Sequence, residues 1–269
     1  MICVNSRRGV FKQVEVYHPR PELMSEFLRW LRPLDVLLVH DSPSKPPPCN
    51  GIGSEFEFQT TTVDLSLPES ELWKRMHYDD WRRKIRKAER LGDRLVVRKN
   101  DNAARGDFLA MHNRFVDQKG LRARPLTWTR MAKFDGLYDV FTAYLDGEPF
   151  ASKVTLRDED ERRIEMLFAV SARLEGGVDH ALVGCVNRYL FWHVMRHYKA
   201  SGFVAYNFAG INPKELPTIT RFKLSFGGEV VTLYDYVAAG RLARGAIRLR
   251  AAAHWLFQRA GVERRVWQI

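Results

Sequence analysis

The densest concentration of charge in the chain is the run Trp81-Arg82-Arg83-Lys84-Ile85-Arg86-Lys87-Ala88-Glu89-Arg90-Leu91. Trp81, Ile85, Ala88 and Leu91 recur at helical spacing, so the run predicts a helix with one apolar stripe and a cationic outer face, closed by Gly92. Arg83, Lys84, Arg86 and Lys87 give this helix a dense cationic face, on which an arginine fork can bind two oxygens of an anion at once. The same four residues also fit a solvated face paired with Glu89 and nearby acids. A second anion site is suggested by Gly176-Gly177, followed by Val178, directly before a helix that starts near Asp179. Free backbone N–H groups and the helix dipole attract negative charge at such a point. The alternative is a turn with Asp179 as N-cap. His180 follows, a residue type suited to proton transfer near neutrality, although a histidine at a helix start is more often a structural hydrogen-bonder.

The elements that would hold these residues are legible in outline. Residues 10–40 read as strand, helix, strand, and Asp41 to Gly53, rich in proline and glycine, breaks both patterns. FEFQTTTVDL (56–65) reads as a strand, a helix enters through Leu67-Pro68-Glu69-Ser70, and LVVRKN after Gly92 reads as another strand. Gly106 to Gly120 and Thr127 to Phe134 read as helices, and residues 140–158 as a hairpin turning at Asp146-Gly147. The strand RIEMLFAVS, a long helix from Asp179 to Ser201 ended by Gly202, and the strand FVAYNFAG complete the order, which is α+β with a mixed sheet. Val237 to Phe257 has an amphipathic helical pattern, with Leu242, Ala246, Leu249, Ala253 and Leu256 on one face and Arg241, Arg244 and Arg248 on another. With Trp255 and Phe257, that helix fits an anionic membrane surface; it fits as well a terminal helix packed on its own domain.

Bulk composition excludes several classes. Hydrophobic residues at 45% and charged residues at 28% argue against disorder and fibrous architectures. Three scattered cysteines, Cys3, Cys49 and Cys185, form neither a disulfide framework nor a zinc ligand set, which suits a reducing cytosol. The first sixteen residues have no apolar core behind their basic residues, so a secretory signal is not expected, and no apolar run nears the roughly 20 residues of a membrane span. The net charge of +11 predicts attraction to polyanions: tRNA, coenzyme A, nucleotide pyrophosphates or anionic lipid.

From Asp64 to about Tyr236 the chain resembles the FemABX-like, Fem-type branch of the GNAT superfamily. Two segments carry the resemblance: residues 81–92, similar to a family helix of the form R…IRKAEK.G, and Tyr206-Asn207-Phe208-Ala209-Gly210-Ile211-Asn212 continued by Arg221-Phe222-Lys223-Leu224-Ser225-Phe226-Gly227-Gly228. The resemblance implies a GNAT-like mixed sheet flanked by helices, with residues 1–60 as a shortened N-terminal half, 61–236 as a complete acyltransferase domain and 237–269 as a basic C-terminal helix. It implies an N-acyltransferase whose donor is acyl-CoA or aminoacyl-tRNA, without a metal. The implied acceptor is an amine of a cell-envelope, peptidoglycan or sugar precursor, nucleotide- or lipid-linked, and the implied location is the cytoplasm, including the inner face of the membrane.

Acyl transfer to an amine needs a donor held by its phosphates, a deprotonated amine, and a positive group facing the developing oxyanion. Lys223 matches the family lysine thought to stabilise that charge, with Phe222 beside it. The resemblance also implies that part of the cationic helix face grips a substrate diphosphate, with Arg86 the favoured member, and Tyr206 and Asn207 are expected to touch the acceptor together with Arg86 and Lys84. Arg173-Leu174-Glu175-Gly176-Gly177-Val178 approximates the GNAT pyrophosphate loop, and His180, Glu165, Asp79 and Asp80 are the candidate bases. Two other readings stand: a nucleic-acid or membrane-surface binding module, and a GNAT fold that serves only as a scaffold.

Overall fold

The computed structural model describes the chain except for residues 9, 49–51, 77–78, 121–124 and 248–269. Two units emerge, one formed by residues 1–58 with 232–269 and the other by residues 59–231.

The first unit carries β1 (Ile2–Arg8), β2 (Phe11–Tyr17), α1 (Pro21–Arg29) and β3 (Asp35–Ser42), and β4 (Ile52–Asp64) leaves it for the second. β1 and β2 pair antiparallel, β2 and β3 parallel, and β10 (Glu229–Ala239) returns late in the chain to pair antiparallel with β3. A parallel pair needs a crossover, and α1, entered through Pro21 at its first turn, supplies it. Val16, Met24, Leu37, Val39, Tyr236 and Ala238 close a small core. The sequence reading begins its first strand at Val10, and the structure adds β1 ahead of it. β10 runs to Ala239 where the amphipathic pattern suggested a helix from Val237; a helix follows over residues 241–247, and Leu249, Ala253, Leu256, Trp255 and Phe257 lie outside the described residues.

In the second unit the chain runs through α2 (Glu69–Arg75), α3 (Asp79–Glu89), β5 (Leu95–Lys99), α4 (Asn102–Gln118), α5 (Trp128–Met131), β6 (Tyr138–Leu145), β7 (Glu148–Asp158) and β8 (Arg163–Ser171). α6 (His180–Ala200), β9 (Ala205–Ile211) and α7 (Pro217–Leu224) complete it. Its strands lie in the order β4-β9-β8-β7-β6-β5, antiparallel throughout except for the parallel pair β8 and β9. Asp146 and Gly147 both take positive φ, +53° and +87°, which matches the twist of a two-residue hairpin between β6 and β7. Apolar residues of α6, among them Val186, Leu190, Phe191, Val194 and Met195, pack with Phe141, Ile164, Tyr206, Phe208 and Phe226 into the main core. The architecture is α+β, and the expected helix over Thr127–Phe134 is one turn of α-helix followed by a 3-10 turn.

Candidate active site

β8 and β9 are paired only through Arg163 with Ala205, Ile164 with Tyr206 and Glu165 with Asn207. Beyond that point β8 stays with β7 as far as Ser171, while β9 stays with β4 as far as Ile211. The two strands therefore part, and each leaves an edge without a partner strand. Ala209 lies in the parted section with a φ of +59°, a strained value for a residue with a Cβ. The bend is held by Asn207, whose Oδ1 accepts the Ala209 N–H at 3.0 Å and also a short hydrogen bond from the Thr60 hydroxyl.

α7 fills the parting from one side. Lys223, on its last turn, donates from Nζ to the carbonyl of Gly210 at 2.7 Å and of Ala209 at 3.3 Å. Burial pulls the Lys223 amine down to about 8, although the charge of Glu165 opposes that shift. The end of α7 is pinned by Gly227, whose φ of +77° no side chain accepts easily and where a Cβ would stand 2.5 Å from the carbonyl oxygen of Arg75.

A cavity of about 590 Å³ opens beside α7. β7 contributes Lys153, β8 contributes Met166, Ala169, Val170 and Ser171, α6 contributes Val183, Asn187, Arg188 and Phe191, and α3 contributes Trp81 and Lys84. Phe222 packs on Trp81 and Phe191 with ring centroids 6.0 and 5.4 Å apart, and the Arg188 guanidinium lies 3.9 Å from the Trp81 ring centroid. Gly184, Asn187, Arg188 and Phe191 recur three and four positions apart, which is why one helix face supplies them all. Of the charged residues lining the cavity, Lys84, Lys153, Arg173, Arg188, Arg221 and Lys223 are cationic and Asp80 alone is acidic. Asp80 is committed to Lys84 at 2.5 Å and Arg83 at 2.7 Å, and those hydrogen bonds hold its carboxyl below the usual carboxylate range. The walls are aromatic and apolar, with an excess of positive charge. A site of this kind takes an apolar group that carries anionic oxygens.

Of the candidate site residues singled out in the sequence, Lys223, Phe222, Lys84, Arg173 and Asp80 meet in this cavity. Arg86 sits instead in an outer cleft of about 540 Å³ with Arg82, Arg83 and Arg90, its guanidinium 5.5 Å from the Trp73 ring centroid. Lys87 is exposed on the same helix. Glu165 and Tyr206 are buried at the parallel ladder; burial raises the Tyr206 hydroxyl pKa, and the charge of Glu165 adds to the effect. Gly176, Gly177 and Val178 form the turn into α6, and Asp179 accepts the N–H groups of Ala181 at 2.8 Å and Leu182 at 3.2 Å. Those are donors that an anion at this helix start would otherwise use. His180 is exposed at the first position of α6 and is not among the residues lining the cavity. The side chain of Asp79 lies outside the described ones.

The sequence reading missed Lys153, Asn187 and Arg188. A usable signal existed for the first: a lysine in the middle of the strand segment FASKVTL, where an apolar residue is the ordinary occupant. The Lys153 side chain is fully buried, its Nζ donates to Asn187 Oδ1 at 2.5 Å, and burial pulls its amine down to about 7.

A sequence model of the acetyltransferase (GNAT) domain family matches residues 75–224, more than half of the chain. The chain belongs to the GNAT acetyltransferase family. The matched segment of this GNAT protein contains every residue that lines the cavity. Its fold is similar to that of FemX, with a TM-score of 0.59 at 10% identity over 92% of this chain and 85% of that one. It is also similar to the C-terminal DUF2156 domain of a protein assigned as a lysylphosphatidylglycerol synthetase in Agrobacterium fabrum, with a TM-score of 0.55 at 13% identity over 93% of this chain and 84% of that one. L-PGS from Bacillus licheniformis gives 0.53 at 14% identity over 89% and 80%. At such identities the likeness is one of fold. No curated protein matches the sequence. GNAT domains generally draw on acyl-CoA and join an acyl donor to an amine acceptor, and the GNAT chain described here is an acyltransferase in that general sense. None of the helices among its described residues is long and apolar enough to cross a membrane.

Proposed function

We propose that this GNAT protein is an N-acyltransferase that moves an acyl group from an acyl-CoA thioester to the amine of a cell-envelope, peptidoglycan or sugar precursor, in the cavity between β8, α6 and α7. The observation that carries the reading is the parting of β8 and β9 with Lys223 at its mouth. Beyond Glu165, β8 has no partner strand on its β9 side, so its backbone groups are available to the amides of an extended pantetheine arm, as they would be to an added strand. Arg173, Arg188 and Arg221 around the cavity supply the positive charge that the phosphates of the donor need.

In the reaction the amine nitrogen of the acceptor attacks the thioester carbon, the carbonyl oxygen becomes an oxyanion, and collapse breaks the C–S bond and expels the CoA thiolate. The ammonium of Lys223 has three N–H bonds, two of which point at Ala209 and Gly210, so one remains to face the oxyanion. In a site screened from water such a donor is worth far more than in bulk solvent. The proton lost by the attacking amine leaves with the thiol or with solvent.

A lipid-linked acceptor would bring the protein to the inner face of the membrane, with its basic surface against anionic headgroups. A thermal-shift screen with acetyl-CoA, longer acyl-CoAs and aminoacyl-tRNA tests the reading, because a true donor stabilises the folded state by mass action. An acyl-CoA is expected to raise Tm, and thiol release should then follow when amino sugars or amine-bearing envelope precursors are added. Stabilisation by aminoacyl-tRNA alone would replace the donor class, and stabilisation by no donor would sink the proposal.

A further inference from the structure

Lys153 stands near the middle of β7 on the face covered by α6 and is fully buried. Phe141 on β6 and Ala169 on β8 flank it in register. From α6, Asn187 accepts its hydrogen bond and the Phe191 ring centroid lies 4.2 Å from Nζ. None of these neighbours is a carboxylate, and among the described residues Asn187 is its one hydrogen-bond partner. An ammonium withdrawn from water without a counter-charge is strongly disfavoured, so a lysine at such a strand position weakens the fold unless something else requires it. Both Lys153 and Asn187 border the 590 Å³ cavity, so a counter-charge can enter from there. The ammonium form has three N–H bonds and directs one at Asn187, which leaves two for a ligand.

We propose that Lys153 and Asn187 form an anchor for a carboxylate, and that the acyl group taken into the cavity ends in one, as in the thioester of a dicarboxylic acid. The assignment of that carboxylate to the acyl group rests on the acyltransferase reading above, whereas the anchor itself does not. The carboxylate accepts the two remaining N–H bonds of Lys153, and the amine takes up a proton from solvent as the ligand binds. Met166, Val170 and Phe191 in the cavity wall suit the methylenes between the two carbonyl ends. A neutral acyl group of the same length would leave the amine without a counter-charge.

The experiment has two arms. In the first, protein carrying 13C at lysine Cε is titrated with sodium succinate and, separately, with neutral succinamide; the Lys153 signal is identified by its loss in Lys153→Met. Succinate should move that signal and succinamide should not. In the second, calorimetry compares succinyl-CoA with butyryl-CoA. Succinyl-CoA should bind about tenfold more tightly, the scale of a hydrogen bond to a charged group. The preference should vanish in Lys153→Met and weaken in Asn187→Leu, a variant that leaves the lysine in place. The proposal is overturned if succinate leaves the Lys153 signal still or acts like succinamide, if the two thioesters bind equally, or if Lys153→Met weakens both thioesters to the same extent and leaves the preference intact. Should succinate move the signal while no acyl-CoA binds, the anchor stands and the acyl-CoA reading falls.

Discussion

The side-chain amine of Lys223, at the end of α7, lies 2.7 Å from the backbone oxygen of Gly210 on β9, in the section where β9 has already left β8. One lysine thus satisfies carbonyls on an open strand edge and keeps one N–H bond for a ligand in the cavity. Backbone oxygens at a parted edge require a donor, and the cationic donor that serves them is also suited to an oxyanion.

Replacing this lysine removes the strand-edge donor and the proposed oxyanion donor together. Lys223→Met should lower kcat by roughly 10²–10³, the range seen when a single oxyanion donor is removed. The KM of the donor should change much less, because the arginines around the cavity are untouched. Steady-state kinetics on the purified variant checks this, and an unchanged kcat would remove Lys223 from the chemistry.

Lys153 should weaken the fold near neutrality. Burial pulls its amine down to about 7 in the folded chain, from the ordinary lysine value of 10.5. Between those two pH values the unfolded chain holds a proton that the folded chain lacks, so stability rises with pH across the window. Below about pH 7 the whole penalty is present, on the order of several kcal/mol. Lys153→Met should therefore raise Tm at pH 7, and its advantage should shrink towards zero as the pH passes 10. Thermal melts at a series of pH values read this directly.

Asp139 on β6 gives the same direction of pH dependence in the acid range, but from a charge that supports the fold instead of weakening it. Its carboxylate is buried, yet Asn100 donates to Oδ1 at 2.5 Å, Tyr198 to Oδ2 at 2.8 Å, and Lys99 and Arg157 approach Oδ2 at 3.2 and 3.5 Å. Burial by itself would raise its pKa, but these hydrogen bonds and charges outweigh burial and leave it below the usual carboxylate range. Stability from this group is present above the ordinary carboxylate pKa and is lost as the pH falls through the lower folded value. Asp139→Ala, which leaves two cations facing a void, should cost about 3–5 kcal/mol in urea denaturation at pH 7.

Gly227→Ala tests what positions α7. Its Cβ would enter the space of the Arg75 carbonyl at a positive φ, so the loss should exceed about 1 kcal/mol and appear as a lower Tm. Because Lys223 stands four residues earlier, kcat should fall as well, whereas Gly106→Ala on α4, with open space around its Cβ and no positive φ, should leave kcat unchanged.

Local patterns were read well where local physics decides. Asp146-Gly147 produces a hairpin because both positions tolerate positive φ, and Asp179 caps α6 because its carboxylate reaches two N–H groups within three residues. The helix over residues 79–89 followed from the spacing of Trp81, Ile85 and Ala88. Periodicity shows which face of a helix is apolar, but not what its charged face meets. Arg86, favoured for phosphate, lies in the outer cleft, while Lys84, two residues earlier and so about half a turn around the same helix, reaches the cavity.

The sequence by itself determined the α+β class, the order of most elements, and a motif pair in which Phe222-Lys223 follows Tyr206-Asn207 at short separation. Tertiary structure alone decided which charges share a space. Lys153 meets Asn187 across 34 residues, and β10 joins β3 from the far side of the whole second unit, Tyr236 pairing with Val39. The energy of a charge depends on its distance from water and from other charges, and both are set by packing between segments that have no local influence on one another.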